Sequence, residues 1–170
     1  MNRATLLALA ACCTAVVIAQ TGAPSVSAEA RNHYNRVKAN LIAAAEKMPE
    51  DAYNFKPTDG QQTFAERILH VANQYRSCNA ISGQKKAVAT AKKDKAGIVE
   101  ALKQSFAACD AAWEGMNEKT AAETIAGRGG QQTTKLGTLV GNTNHDSEMY
   151  GYISVYMRLK NVIPPSSDRK

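Results

Sequence analysis

The run from about Thr134 to Lys160 is apolar on two sides of one helix. Leu136, Leu139, Val140, Thr143, Tyr150 and Met157 recur on one face, and His145, Met149, Tyr152 and Tyr156 fall on the other. Both sets keep the three-and-four spacing of an α-helix. A helix apolar on two sides must bury both, so this segment packs among other helices while its second face lines a pocket or meets a partner.

Three further runs supply those neighbours, and none of the remaining chain reads as a convincing strand. Ala30, Tyr34, Val37, Leu41, Ala44 and Met48 form one stripe, which Pro49 stops. A turn-rich link from Pro49 to Gln62 carries Tyr53, Phe55 and Pro57, whose rings are expected to cover one end of the helices. Thr63-Phe64-Ala65-Glu66 is a capping box, opening a second helix with the stripe Phe64, Ile68, Val71, Tyr75 and Cys78 that Gly83 ends. Gln84 to Lys93 is lysine-rich and weakly periodic, as a solvated crossover is. Asp94 caps a third helix with the stripe Ile98, Leu102, Phe106, Cys109, Trp113 and Met116, ending near Asn117. Gly127-Arg128-Gly129-Gly130 follows no apparent strand and lacks the lysine and hydroxyl of a phosphate-binding loop, so it reads as a linker.

At 170 residues, 44% apolar and only 6% aromatic, the chain suits one domain with an aliphatic and alanine core. The formal charge of +6 comes with 15 acidic groups and no interleaved basic and aromatic surface, so no nucleic-acid partner is expected. Residues 1–28 have the marks of a signal peptide: Asn2 and Arg3, an apolar run from Ala4 to Ala19, and small residues at Val26-Ser27-Ala28. Cleavage after Ala28 would leave residues 29–170 as the exported domain, periplasmic or secreted. The apolar run is shorter than the roughly 20 residues of a spanning helix, and no other stretch could cross a bilayer. Leu9-Ala10-Ala11-Cys12 also resembles a lipobox, but the residues after Cys12 stay apolar, which disfavours a lipid anchor there. Cys78 and Cys109 remain after cleavage, either as a disulfide or as two small buried side chains.

Met48-Pro49-Glu50-Asp51, Tyr53-Asn54-Phe55-Lys56-Pro57, Thr63-Phe64-Ala65-Glu66 with His70-Val71-Ala72, and the helix-four stretch from Asn144 through Tyr156-Met157-Arg158-Leu159-Lys160 to Ser167, taken in order, resemble the DinB family of four-helix proteins. The resemblance spans nearly all of residues 29–170. It implies an all-α, DinB-like four-helix bundle in up-down-down-up order, with a long crossover between helices two and three that makes the middle pair parallel. Cys78 lies 15 residues beyond Thr63 and Cys109 lies 15 beyond Asp94. In a parallel pair they sit at similar heights and a bridge is sterically allowed, whereas an antiparallel hairpin would part them by about 16 Å.

Many members of that family are similar in holding a divalent metal with three histidines, one on helix two and two on helix four at i and i+4. Residue by residue, the resemblance assigns His70 to the first position and His145 to the second, and Met149 stands where the third would be. A thioether is a poor ligand for zinc or nickel and prefers copper(I). His145 and Met149 are one turn apart on the same face. Their structural readings stand beside the ligand readings: His70 as a polar residue flanking its stripe, Met149 as packing. Glu148 reads as a solvated or salt-bridged carboxylate, and His33 as a surface residue.

Two function classes follow. One is a binding or scaffold protein that kept the bundle, lost the metal chemistry and holds a small-molecule pocket between helices two and four. The other is a metal-dependent hydrolase or thiol transferase using His70, His145 and a metal such as zinc or nickel. Family members often pair, so a homodimer is expected by resemblance.

Overall fold

A computed structural model describes residues 24–85, 87, 88 and 93–168. Residues 1–23, which hold Cys12 and most of the expected leader, lie outside them, as does part of the crossover.

The first helix, α1 (Val26–Lys47), is capped by the Ser25 hydroxyl, which accepts from the Ala28 amide. It ends where Pro49 forces Met48 into extended backbone. Its first turn, Val26 to Ala28, lies on the leader side of the expected cut. The Pro49 link makes a 3-10 turn at Glu50–Ala52 and then closes one end of the bundle. There the Tyr53 hydroxyl donates to the Ala45 carbonyl, the Tyr53 ring meets Phe64 edge-on at 5.1 Å, and Phe55 meets Tyr156 edge-on at 6.0 Å.

The second helix forms in two pieces, α2 (Phe64–Ala72) and α3 (Tyr75–Ser82). The capping box at Thr63 and Glu66 is complete, with the Glu66 carboxylate accepting from the Thr63 amide at 2.7 Å. At the joint the Gln74 amide bonds the Val71 carbonyl and the Ser77 amide bonds the Gln74 carbonyl, both at 3.1 Å, so the ladder tightens to a three-residue repeat. Gly83 closes α3 at φ +72°, the left-handed conformation that favours glycine at a helix end.

α4 (Lys95–Glu114), capped by Asp94, runs parallel to this pair. Lys95 at its start reaches the Met48 carbonyl, at the same end as Phe64, and farther along Cys78 and Cys109 form a disulfide with their Cα atoms 4.8 Å apart. α1 runs the other way beside α4. Glu46 pairs with Lys103, Lys38 with Asp110, and Ser27 near the start of α1 donates to Glu118 beyond the end of α4. Between them Tyr34 stacks on Trp113 at 5.4 Å and donates to Asp110. The last helix, α6 (Lys135–Leu159), is antiparallel to α2 and α3: Tyr156 reaches Gln62, His145 meets His70, and Asn142 approaches Cys78. The order is up-down-down-up, as the resemblance implies.

One element departs from the all-helical reading. After the single-turn α5 (Glu118–Ala121), β1 (Thr124–Ala126) and β2 (Gln132–Thr134) pair antiparallel with Ile125 opposite Thr133. The segment read as a linker is the tip of this hairpin, where Gly129 and Gly130 turn at φ +71° and +78°. Strands of three residues are too short to display an alternating pattern, so the hairpin leaves no periodic signal.

The core is continuous through α1, α2, α3, α4 and α6. Leu41, Met48, Phe64, Ile68, Ile98, Leu102, Trp113, Leu139, Ile153 and Met157 are all within 1% of full burial. No helix among the described residues is long and apolar enough to cross a membrane.

Candidate functional site

The site lies where α2 faces α6. Arg67, His70 and Gln74 follow one another at spacings of three and four, and their side chains reach the face of α6 that carries His145, Met149 and Tyr156. The two imidazoles meet with their Nε2 atoms 2.9 Å apart and their rings tilted by 73°. At that distance one ring donates a proton and the other accepts it. The structure thus brings together the two histidines that the sequence nominates from segments 75 residues apart.

Behind His145, the Glu148 carboxylate stands 3.9 Å from Nδ1 and accepts from the Tyr152 hydroxyl at 3.2 Å. It is exposed, as expected, and stands beyond hydrogen-bond distance of the ring. Burial first, and then the neighbouring His70, hold the His145 imidazole below its ordinary value, with Glu148 pulling the other way.

Met149 is 5% exposed and packs at the corner where the resemblance puts a third ligand. That corner also holds Arg67, which the sequence reading passed over. Its Nη1 lies 3.8 Å from the Met149 sulfur, its Nη2 donates to Gln61 at 2.7 Å, and its guanidinium covers the Tyr152 ring at 4.6 Å. The Tyr156 hydroxyl, 3.5 Å from Arg67 Nε, donates to the Gln62 carbonyl. Arg67 is therefore fixed by an aromatic face and an amide, a planar arrangement suited to guanidinium. The spacing from Arg67 to His70 could have flagged it as a neighbour on the same face.

One turn deeper, Asp146 is 4% exposed and accepts from the Gln74 side chain at 2.6 Å. Burial pushes its carboxyl up to about 8, with the Gln74 bond partly opposing the shift. The joint between α2 and α3 is what places Gln74 there. His33, read as a surface residue, is instead half-buried, with Nε2 3.3 Å from the Ser147 hydroxyl.

As a metal site the donor set is incomplete. It offers two convergent imidazole nitrogens, a thioether in the third position and a fixed cation beside that thioether. Among the described residues no group of three or more histidine, cysteine, aspartate or glutamate side chains is gathered for an ion. These residues do not fit the tetrahedral three-nitrogen zinc centre that the resemblance implies.

A sequence model of the DinB superfamily matches residues 33–153. The chain belongs to the DinB superfamily. It is also similar to the crystal structure of a DinB-like protein from Bacillus cereus ATCC 10987, with a TM-score of 0.68 at 13% identity, covering 80% of this chain and 93% of that one. At that identity the likeness bears on the fold alone. No curated protein matches the chain.

Proposed function

We propose that this chain is an exported small-molecule binding protein in which the family's metal-centred site is degenerate. The observation that carries the reading is the Met149 corner, where a weak thioether donor and the Arg67 guanidinium 3.8 Å from it stand in place of an imidazole. A fixed positive charge there opposes a divalent cation, and sulfur of this kind does not supply the basicity that zinc or nickel requires. Copper(I), which accepts thioether ligands, fits the chemistry of Met149 better, yet it meets the same charge. No step of a reaction is therefore assigned to a metal.

Isothermal titration with zinc and nickel at neutral pH tests this. The unmodified protein is expected to bind both weakly, Met149→His to bind more tightly, and Met149→His combined with Arg67→Gln more tightly still. Equally tight binding by the unmodified protein would overturn the reading and favour the second one. That second reading is a metal-dependent hydrolase or thiol transferase, supported by the convergence of His70 and His145 on one point with Glu148 behind the latter.

Export through a leader ending at Ala28 belongs to the same proposal. Pairing into a homodimer does too, and Tyr152, Val155 and Leu159 support it, lying on one side of α6 at 43%, 53% and 55% exposure. Light scattering on the purified chain decides the oligomeric state.

A further inference from the structure

The hairpin that interrupts the helical chain does more than join α5 to α6: it walls a cavity of about 650 Å³ against α3 and α6. This volume falls within the range of about 300–1,000 Å³ typical of small-ligand sites. Asn142, on the lining, lies one turn before His145 on α6, and Ser77 lies two turns beyond His70, so the cavity continues the α2–α6 face toward the hairpin.

The described lining is polar without being charged. Ser77, Thr133 and Thr138 contribute hydroxyl-bearing side chains, Gln131, Gln132 and Asn142 contribute amides, and none of the described lining residues is ionisable. Much of this hydrogen-bonding capacity is unused within the protein. The Asn142 amide has only a 3.9 Å approach to the Cys78 sulfur. Among the described residues, no side-chain hydrogen bond engages Ser77, Gln131 or Gln132. Ala80 and Ile125 add aliphatic surface, and none of the described lining residues is aromatic.

We infer that this cavity binds a neutral polyhydroxylated molecule of mono- or disaccharide size. The inference deepens the binding reading above by naming the ligand class. Among the described lining residues an ionic ligand would lose its hydration without meeting an opposite charge, a cost that amides and hydroxyls of this kind do not repay. A purely apolar ligand would leave the amides and hydroxyls dry and unpaired. A sugar offers each of these groups a hydroxyl that both donates and accepts, while its C–H faces meet Ala80 and Ile125.

Gly127 keeps the hairpin at its present distance. A Cβ there would stand 3.0 Å from the Thr133 methyl and 3.1 Å from the Gln131 carbonyl, both on lining residues, so a side chain at Gly127 would push this wall aside.

Saturation-transfer NMR on the full chain, with maltose, trehalose and N-acetylglucosamine as neutral probes and glucose 6-phosphate and glucuronate as charged ones, tests the inference. At millimolar concentration at least one neutral probe is expected to receive saturation and the charged ones not to. Asn142→Leu and Gln132→Leu should each weaken that binding by about tenfold or more, the equivalent of one lost polar contact. Gln132 lies on the exposed hairpin, so its variant keeps the test valid if Asn142→Leu fails to fold. Silence from all three neutral probes, preference for the charged ones, or unchanged binding by both variants would overturn the inference. Repeating the measurement with chelator and then with zinc separates the two proposals: tight zinc uptake with unchanged sugar binding defeats the degenerate-site reading alone, and loss of sugar binding in a protein that takes no zinc defeats this one alone.

Discussion

The Nε2 atoms of His70 and His145 stand 2.9 Å apart, so the two rings share one hydrogen bond and cannot comfortably carry two full charges. Burial is the larger cause of the depressed His145 value and the His70 charge the smaller. The His145 ring is therefore expected to titrate below 6.5 by NMR. In His70→Gln the midpoint should rise yet stay under that value. Because the folded value is lowered, the unfolded chain binds more protons just below pH 6.5, and His145 costs stability as pH falls through that window. A midpoint at or above 6.5 in the unmodified protein would contradict this account of the pair.

Asp146 gives the opposite slope. Its carboxyl is raised from 3.8 to about 8, so between those values the folded chain holds the proton and the unfolded chain does not. Stability is lost as pH rises through that window and levels off above it. Asp146→Asn keeps an acceptor for Gln74 and removes the charge. It should leave stability little changed at low pH and raise it above pH 8 by an amount on the order of a few kcal/mol. Urea unfolding across pH checks this, and parallel curves for the two proteins would refute it.

The Cys78–Cys109 bridge closes a loop with a sequence separation of 31. Chain-entropy arguments put its contribution at about 3–4 kcal/mol. The double replacement by alanine is expected to unfold at correspondingly lower urea. A non-reducing mass two hydrogens below the sequence value should accompany the native protein, and two free thiols in oxidised material would remove the bridge.

At the amino end, the Ser25 cap and the Ser27 bond to Glu118 both lie before the expected cut after Ala28. A chain starting at Glu29 should therefore be less stable than one starting at Pro24, by about 1 kcal/mol for the lost cap. Sequencing of exported material is expected to read Glu29 first. An amino terminus at or before Pro24 would keep the capped turn and displace the cleavage site.

The sequence by itself determined where the long helices start and stop, because periodicity, caps and stops act within a few residues: Thr63 with Glu66, and Asp94, through side chains that accept neighbouring amides, Pro49 and Gly83 through their own backbone. It also determined which faces are buried, since Leu41, Ile68, Leu102 and Met157 sit on stripes that any packed arrangement must cover. What only the tertiary structure decided is which side chains meet across helices. The approach of Arg67 to Met149, the reach of Gln74 to Asp146 from the break between α2 and α3, and the hairpin folded against Ser77 and Asn142 all depend on how each helix is rotated and how far along its neighbour it docks. Those quantities emerge from packing summed over the whole core, and no single stretch of residues records them.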